Sequence, residues 1–297
     1  VMTALSYTLI SFPGLGLELD PPSTIQLGPL TIHFYGLIIA VGMLLAVLYA
    51  SKRSKEFGLK EDDLIDGVLW VTPFAIICAR LYYCIFEWDQ YASNPISILY
   101  IWNGGLAIYG GVLGAVIGLS VFCKVRKIKA TAMMDVVSLG LLIGQLVGRW
   151  GNFMNREAFG APTDSFLRMG LYNTATGAVE YYHPTFLYES LWNFVGFLLL
   201  HFLSKKRKYD GQVALGYVAW YGLGRAFIEG LRMDSLYWGP FRVSQVLAGI
   251  SCVAAVAVLL WLGFRPHDPA KMLVNQAKEA KSEEAPKTED ETHENEG

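Results

Sequence analysis

Long apolar stretches alternate with short polar ones along most of this chain, on the scale of membrane spans. A helix crosses a bilayer in roughly 20 mostly apolar residues. Seven stretches reach that length: 31–51, 65–87, 104–123, 132–150, 184–204, 213–232 and 242–264. The pattern predicts an all-α polytopic membrane protein with seven transmembrane helices. The third stretch sets Gly110, Gly114 and Gly118 at intervals of four, a spacing that lets helices approach closely in lipid.

The polar intervals orient the bundle. Lys52, Arg53, Lys55 and Lys60 follow the first stretch, Lys124, Arg126, Lys127 and Lys129 the third, and Lys205, Lys206, Arg207 and Lys208 the fifth. The alternate interval EWDQYASNPISILYIWN has no basic residue, and 151–183 has only Arg156 and Arg168. Basic loops stay in the cytoplasm, so the N-terminus is expected outside and the C-terminus inside. Three parts follow: an extracytoplasmic N-terminal segment over 1–30, the bundle over 31–264, and an acidic cytoplasmic tail over 265–297, expected to be disordered. Within the bundle, 151–183 is a polar loop or head on the outer side, too long for a simple connection and of a kind that is commonly functional. The N-terminal stretch has neither a basic start nor a long apolar core, so no cleavable signal peptide is expected.

Composition agrees: 53% of the 297 residues are hydrophobic and 17% charged, too apolar for an ordinary soluble chain. The net charge of −2 hides nine acidic residues against four lysines from Asp268 onward. Neither part offers a nucleic-acid surface. Cys78, Cys84, Cys123 and Cys252 stand singly in apolar surroundings and read as packing residues rather than metal or disulfide partners.

Charge inside the bundle changes the picture most. Tyr109, Asp135, Arg149, Glu189, Arg225 and Glu229 fall within or near the predicted hydrocarbon, where a central charge costs about 2.5–3.5 kcal/mol. In YGLGRAFIEGLR, Tyr221, Arg225, Glu229 and Arg232 share one helix face. In GRWGNFMNREAFG, Arg149 and Asn152 end the preceding helix on the same side of the membrane. Three guanidiniums there outnumber the single carboxylate beside them, and the missing counter-charge is expected to be a ligand anion. The fork of arginine suits phosphate, and at that depth the available phosphate is a lipid headgroup. An internal Arg225–Glu229 pair that merely pins helices is the structural alternative. A retinal protein is excluded because no span holds a lysine, and an intramembrane serine protease because no GxS motif faces His33 or His183.

The run GRWGNFMNREAFG resembles the signature of the prolipoprotein diacylglyceryl transferases. IHFYGL, NGGLAIYGGVLGA, HPTFLYES, YGLGRAFIEGLR and SQVLA extend the likeness, in order, across the bundle. The resemblance implies transfer of the diacylglyceryl group of phosphatidylglycerol to the lipobox cysteine thiol of a bacterial prolipoprotein, just after its signal peptide. A thioether forms in the cell membrane, glycerol-1-phosphate leaves, and neither cofactor nor metal is needed. It assigns catalysis to Arg149, Arg225, Tyr109 and Glu229. It assigns phosphatidylglycerol binding to Arg149, Asn152, Tyr35, Tyr221, Glu157, Gly160 and Asp135. The chain departs at Tyr109, where many members carry histidine. Tyrosine, ordinarily near 10 against about 6.5 for histidine, is a poor base unless arginines lower it. Glu157, Glu229 or water are the other candidates for proton acceptor. A transporter or flippase for an anionic lipid, using the same arginines, is the rival reading, with a scaffold or receptor after it.

Overall fold

The computed structural model describes residues 7–28 and 30–284. It is mostly helical: α1 Phe34–Ser54, α2 Glu61–Phe86, α3 Trp88–Tyr91, α4 Ile108–Val125, α5 Ala130–Asn155, α6 Thr185–Ser204, α7 Gln212–Glu229, α8 Val243–Gly263 and α9 Leu273–Glu284. Each apolar stretch of the sequence is helical over most of its length. Among the described residues, six helices are long and apolar enough to cross a membrane, and α7 is not one of them. Its polar stripe lowers its hydropathy.

The expectation of an all-α chain is corrected by a sheet. Strands β1 Tyr7–Phe12, β2 Leu17–Leu19, β3 Thr24–Leu27, β4 Leu30–His33, β5 Met169–Asn173, β6 Ala178–Tyr182, β7 Tyr237–Trp238 and β8 Phe241–Arg242 form two hairpins and one four-stranded sheet ordered β2-β1-β5-β6. All its pairs are antiparallel, with Ile10 opposite Leu171 and Leu171 opposite Glu180. The N-terminal segment and the 151–183 loop, expected as separate pieces, are therefore one head. Strand β1 explains why: YTLISF buries Tyr7, Ile10 and Phe12, half-buried patterning that suits a strand. Ile10, Phe12, Met169 and Leu171 pack with Phe153 from the end of α5 and Phe186 from the start of α6. The head core is thus clamped to the two helices that border the candidate site.

The chain divides into two compact units, residues 1–50 with 135–266, and residues 51–134 with 267–297. In the second unit α2 and α4 pack through glycine. A side chain at Gly110, Gly114 or Gly118 would meet Ala79, Cys78 or Phe74 of α2. Arg80 of α2 is 5% exposed and donates to the carbonyls of Ser97, Ile98, Tyr100, Gly104 and Gly105. It also lies over the Tyr91 ring at 5.0 Å. The loop that leads into α4 is built around this one guanidinium. The tail, expected to be disordered, is helical over Leu273–Glu284. Met272 is buried, and Lys129 Nζ donates to the Lys271 carbonyl at 2.6 Å. The expectation for residues 285–297 lies outside the described residues.

Candidate active site

The first unit gathers its charges where α5 ends, α6 begins and α7 ends. From α5, Arg149 Nη2 meets Glu189 of α6 at 2.5 Å. From α7, Arg225 Nη1 reaches the same carboxylate at 3.2 Å, and its Nη2 pairs with Glu229 at 2.6 Å. Arg232, just past α7, stands 3.7 Å from Glu189 and pairs with Asp234 at 2.7 Å. Three elements thus converge on one buried carboxylate, itself 4% exposed. The side chains of Arg149 and Arg225 keep 20% and 17% exposure. Each uses both terminal nitrogens and leaves Nε without a bond among the described residues.

The expected deficit of acids is corrected here. Glu189, Glu229 and Asp234 stand against Arg149, Arg225 and Arg232, so the cluster holds as many carboxylates as guanidiniums. Glu189 belongs to a different helix from the polar stripe on α7, which is why spacing along that stripe could not count it. What the geometry does supply is two partly open guanidiniums, held in fixed orientation by a shared carboxylate, with donor edges unspent.

The signature continues the network outward. Arg149 Nη1 donates to Asn152 Oδ1 at 3.4 Å, and Asn152 Nδ2 donates to Glu157 Oε1 at 3.0 Å. Glu157 accepts from Asn155 as well, at 3.4 Å. Arg156 turns away into the head, donating to the Thr8 and Pro21 carbonyls and pairing with Asp20 at 2.8 Å. Gly160 N donates to the His183 carbonyl at 2.9 Å and Ala161 N to the Leu231 carbonyl at 2.7 Å. A Cβ on Gly160 would come within 2.7 Å of His183 Cβ and 2.9 Å of the Leu231 carbonyl oxygen. Only glycine permits that approach, which sets the head directly against Arg232.

Tyr35 and Tyr221 complete the surroundings. The Tyr35 ring lies against Gly151, 2.8 Å from where a Cβ would stand, one residue from Asn152. Tyr221 stacks on Tyr217 at 5.7 Å. With Glu189, Trp192, Asn193, Gly224, Arg225 and Ile228 it lines a narrow cleft.

Asp135 stands apart from this cluster within the first unit. Asp135 lies 14 residues before Arg149 on α5, roughly 21 Å along the helix. Fully buried, it accepts the backbone N–H groups of Gly211 and Ala214, both at 2.8 Å. It caps the start of α7, which follows Gly211 at φ 100 and has no side-chain cap of its own. These backbone N–H groups are the partners the structure shows for Asp135, and they tie α5 to the start of α7. Tyr109 belongs to the second unit, in the first turn of α4, after the loop organised by Arg80.

Sequence reasoning missed Glu189 as the hub, and Arg80 and Arg156 as organisers. A charged residue inside an apolar span was the available signal for Arg80.

A family model described as prolipoprotein diacylglyceryl transferase matches residues 22–261. The chain is similar to proteins named phosphatidylglycerol–prolipoprotein diacylglyceryl transferase. One from Limosilactobacillus reuteri is 46% identical over 247 residues, covering 80% of this chain and 90% of the relative. One from Listeria monocytogenes serotype 4a is 42% identical over 265 residues, covering 87% and 96%. One from Halalkalibacterium halodurans is 42% identical over 272 residues, covering 86% and 93%. An alignable match along nearly the whole bundle, with the arginine–carboxylate cluster inside it, places this chain in the prolipoprotein diacylglyceryl transferase family.

Proposed function

We propose that this chain transfers the diacylglyceryl group of phosphatidylglycerol to the lipobox cysteine of a prolipoprotein. The observation that carries the site assignment is the pair of partly exposed guanidiniums, Arg149 and Arg225, locked to the shared Glu189 carboxylate. The cysteine gives up its proton to Glu157 or water, and its sulfur attacks the glycerol carbon next to the phosphate ester. The S–C bond forms, the C–O bond breaks, and its electron pair leaves on glycerol-1-phosphate. Negative charge grows on the departing oxygen, so donors fixed beforehand toward that position stabilise the transition state more than the ground state. Arg149 and Arg225 take that role. Glu189 and Glu229 hold them in orientation, so that little is spent on reorganisation during the step. A thiol, ordinarily near 8.5, gains reactive fraction beside such cations.

Asn152, Glu157, Tyr35, Tyr221 and Gly160 frame the phosphatidylglycerol headgroup, and Tyr109 contributes a hydroxyl donor. The bundle crosses the bacterial inner membrane seven times, counting α7, with the N-terminus outside. The head formed by β1, β2, β5 and β6 lies on the extracytoplasmic side and admits the lipobox segment. No cofactor enters this reaction as written.

Mass spectrometry of a lipobox peptide incubated with the purified chain and phosphatidylglycerol tests the reading. The expected product is the peptide carrying a diacylglyceryl thioether, with glycerol-1-phosphate released in equal amount. Movement of phosphatidylglycerol across a vesicle bilayer with no thioether would establish the flippase instead.

A further inference from the structure

Helices α6 and α7 carry the same short pattern, a tryptophan followed four residues later by glycine: Trp192 with Gly196, and Trp220 with Gly224. The structure brings the two copies together. Trp192 Nε1 donates to the Trp220 backbone carbonyl at 2.9 Å, and Trp220 Nε1 donates to the Trp192 backbone carbonyl at 2.9 Å. The two indoles stack with centroids 4.4 Å apart and planes 19° from parallel. Each pyrrole edge fills the space over the opposite helix's glycine, so a Cβ at Gly224 would overlap Trp192 and one at Gly196 would overlap Trp220. The arrangement is reciprocal: each helix supplies one ring, one carbonyl and one seat.

A single indole bond would leave the pair free to rotate about it. Two, running in opposite directions and flanked by two glycine seats, fix both the sliding and the turning of α6 against α7. In hydrocarbon an indole N–H has no water to fall back on, so giving up either bond leaves a buried donor unmet. The next turn along holds the chemistry. Glu189 is three residues before Trp192, on the same face of α6, and Arg225 directly follows Gly224 on α7. Their contact at 3.2 Å is therefore set by the register that the rings impose. A slip of one helical turn, about 5.4 Å, would part them entirely. A slip of 1 Å would already misplace the donors that Arg225 offers.

We infer that the reciprocal Trp192–Gly224 and Trp220–Gly196 clasp is a positioning device for the reaction, setting Glu189 against Arg225. The inference rests on the reading of Arg225 as a leaving-group donor. Trp192 borders the cleft beside Arg225 and Trp220 does not, so Trp220→Phe isolates the positioning role of the two rings. They act through the register of two helices.

The test compares Trp192→Phe, Trp220→Phe and Gly224→Ala with Gly249→Ala, whose added methyl would meet open space. Near-ultraviolet circular dichroism first reports the stacked indole pair, and each clasp variant is expected to lose that exciton signal. Transfer kinetics per folded molecule are then measured with phosphatidylglycerol and a lipobox peptide. The expected result is a fall in kcat of about 10- to 100-fold, the scale of an ångström-level misplacement, with KM for the peptide nearly unchanged. Adding Trp192→Phe to Gly224→Ala removes the colliding pyrrole edge and is expected to recover part of the loss, a non-additive pair. If Gly224→Ala fails to accumulate, the two phenylalanine variants, which introduce no clash, decide alone.

Loss of the exciton signal with kcat unchanged would overturn the positioning role. Lower thermal stability with full kcat per folded molecule would also overturn it, since the clasp would then be packing only. Arg225→Ala in parallel separates the two readings. Full turnover there removes the site assignment itself, whereas loss there beside unaffected clasp variants removes only the clasp.

Discussion

Helix α7 is held near each end by a buried carboxylate, and the two are satisfied in opposite ways. At its start, Asp135 accepts the backbone N–H groups of Gly211 and Ala214, both at 2.8 Å. Toward its end, Glu189 is surrounded by side-chain cations from three elements, Arg149, Arg225 and Arg232. Backbone donors of a helix cannot swing away, so the first arrangement is complete and static. The guanidiniums of Arg149 and Arg225 are held by carboxylates but offer more donors than these take, and they stay partly open. Buried charge alone therefore does not mark an active site. The proposed site rests instead on a charge whose partners are other charges, with an edge left accessible. Arg80 in the second unit falls on the Asp135 side of this divide, since carbonyls take its guanidinium.

The sharpest way to break the contrast is to remove Glu189. Glu189→Ala leaves its guanidinium partners facing one another in the bundle. The expected cost is about 3–5 kcal/mol, the range for breaking a buried ion pair, read as loss of both membrane accumulation and transfer. Asp135→Ala strands two N–H groups at the start of α7. It should lower stability by about 1–3 kcal/mol, seen as an earlier unfolding midpoint in detergent, while kcat per folded molecule is unchanged. A fall in kcat at unaltered stability would move Asp135 into the chemistry. Tyr109→Phe removes one hydroxyl donor, and a loss near tenfold in transfer is expected, about the worth of one hydrogen bond. Full turnover would reduce the ring to packing.

The smallest effect lies in the head. Glu180 accepts from Tyr182 at 2.7 Å and from Tyr7 at 3.1 Å. The Tyr182 hydrogen bond is the largest influence on its carboxyl, and with those from Tyr7 and Asn173 it outweighs burial and holds the group below its ordinary 4.5. A depressed carboxylate stabilises the fold above its unfolded value and gives that up as pH falls through its folded one. Below pH 4.5, tyrosine fluorescence of the wild-type head should therefore report destabilisation that is shallower in Glu180→Gln.

The helices were legible because apolar length is written locally. The head was not, because β1 pairs with β5 across some 160 residues of sequence, and no local pattern announces a partner that distant. The site divided in the same way. Arg225 and Glu229 share a face of one helix and could be read from spacing, whereas Glu189 joins them only through the packing of α6. Asp135 carried the same charge as a binding residue would, but its partners are backbone N–H groups, which leave no trace in a sequence. The tail looked structureless by composition, yet Met272 finds a buried seat beside the helical stretch that follows it.

The central claim is tested most directly by Arg149→Lys and Arg225→Lys, which keep the positive charge and remove the planar fork. Thioether formed per folded molecule, at saturating phosphatidylglycerol and lipobox peptide, is the quantity to measure. The account predicts that each variant accumulates in the membrane and loses about 100-fold or more in kcat, comparable to removing one preorganised oxyanion donor. Turnover at the wild-type rate in both would contradict it.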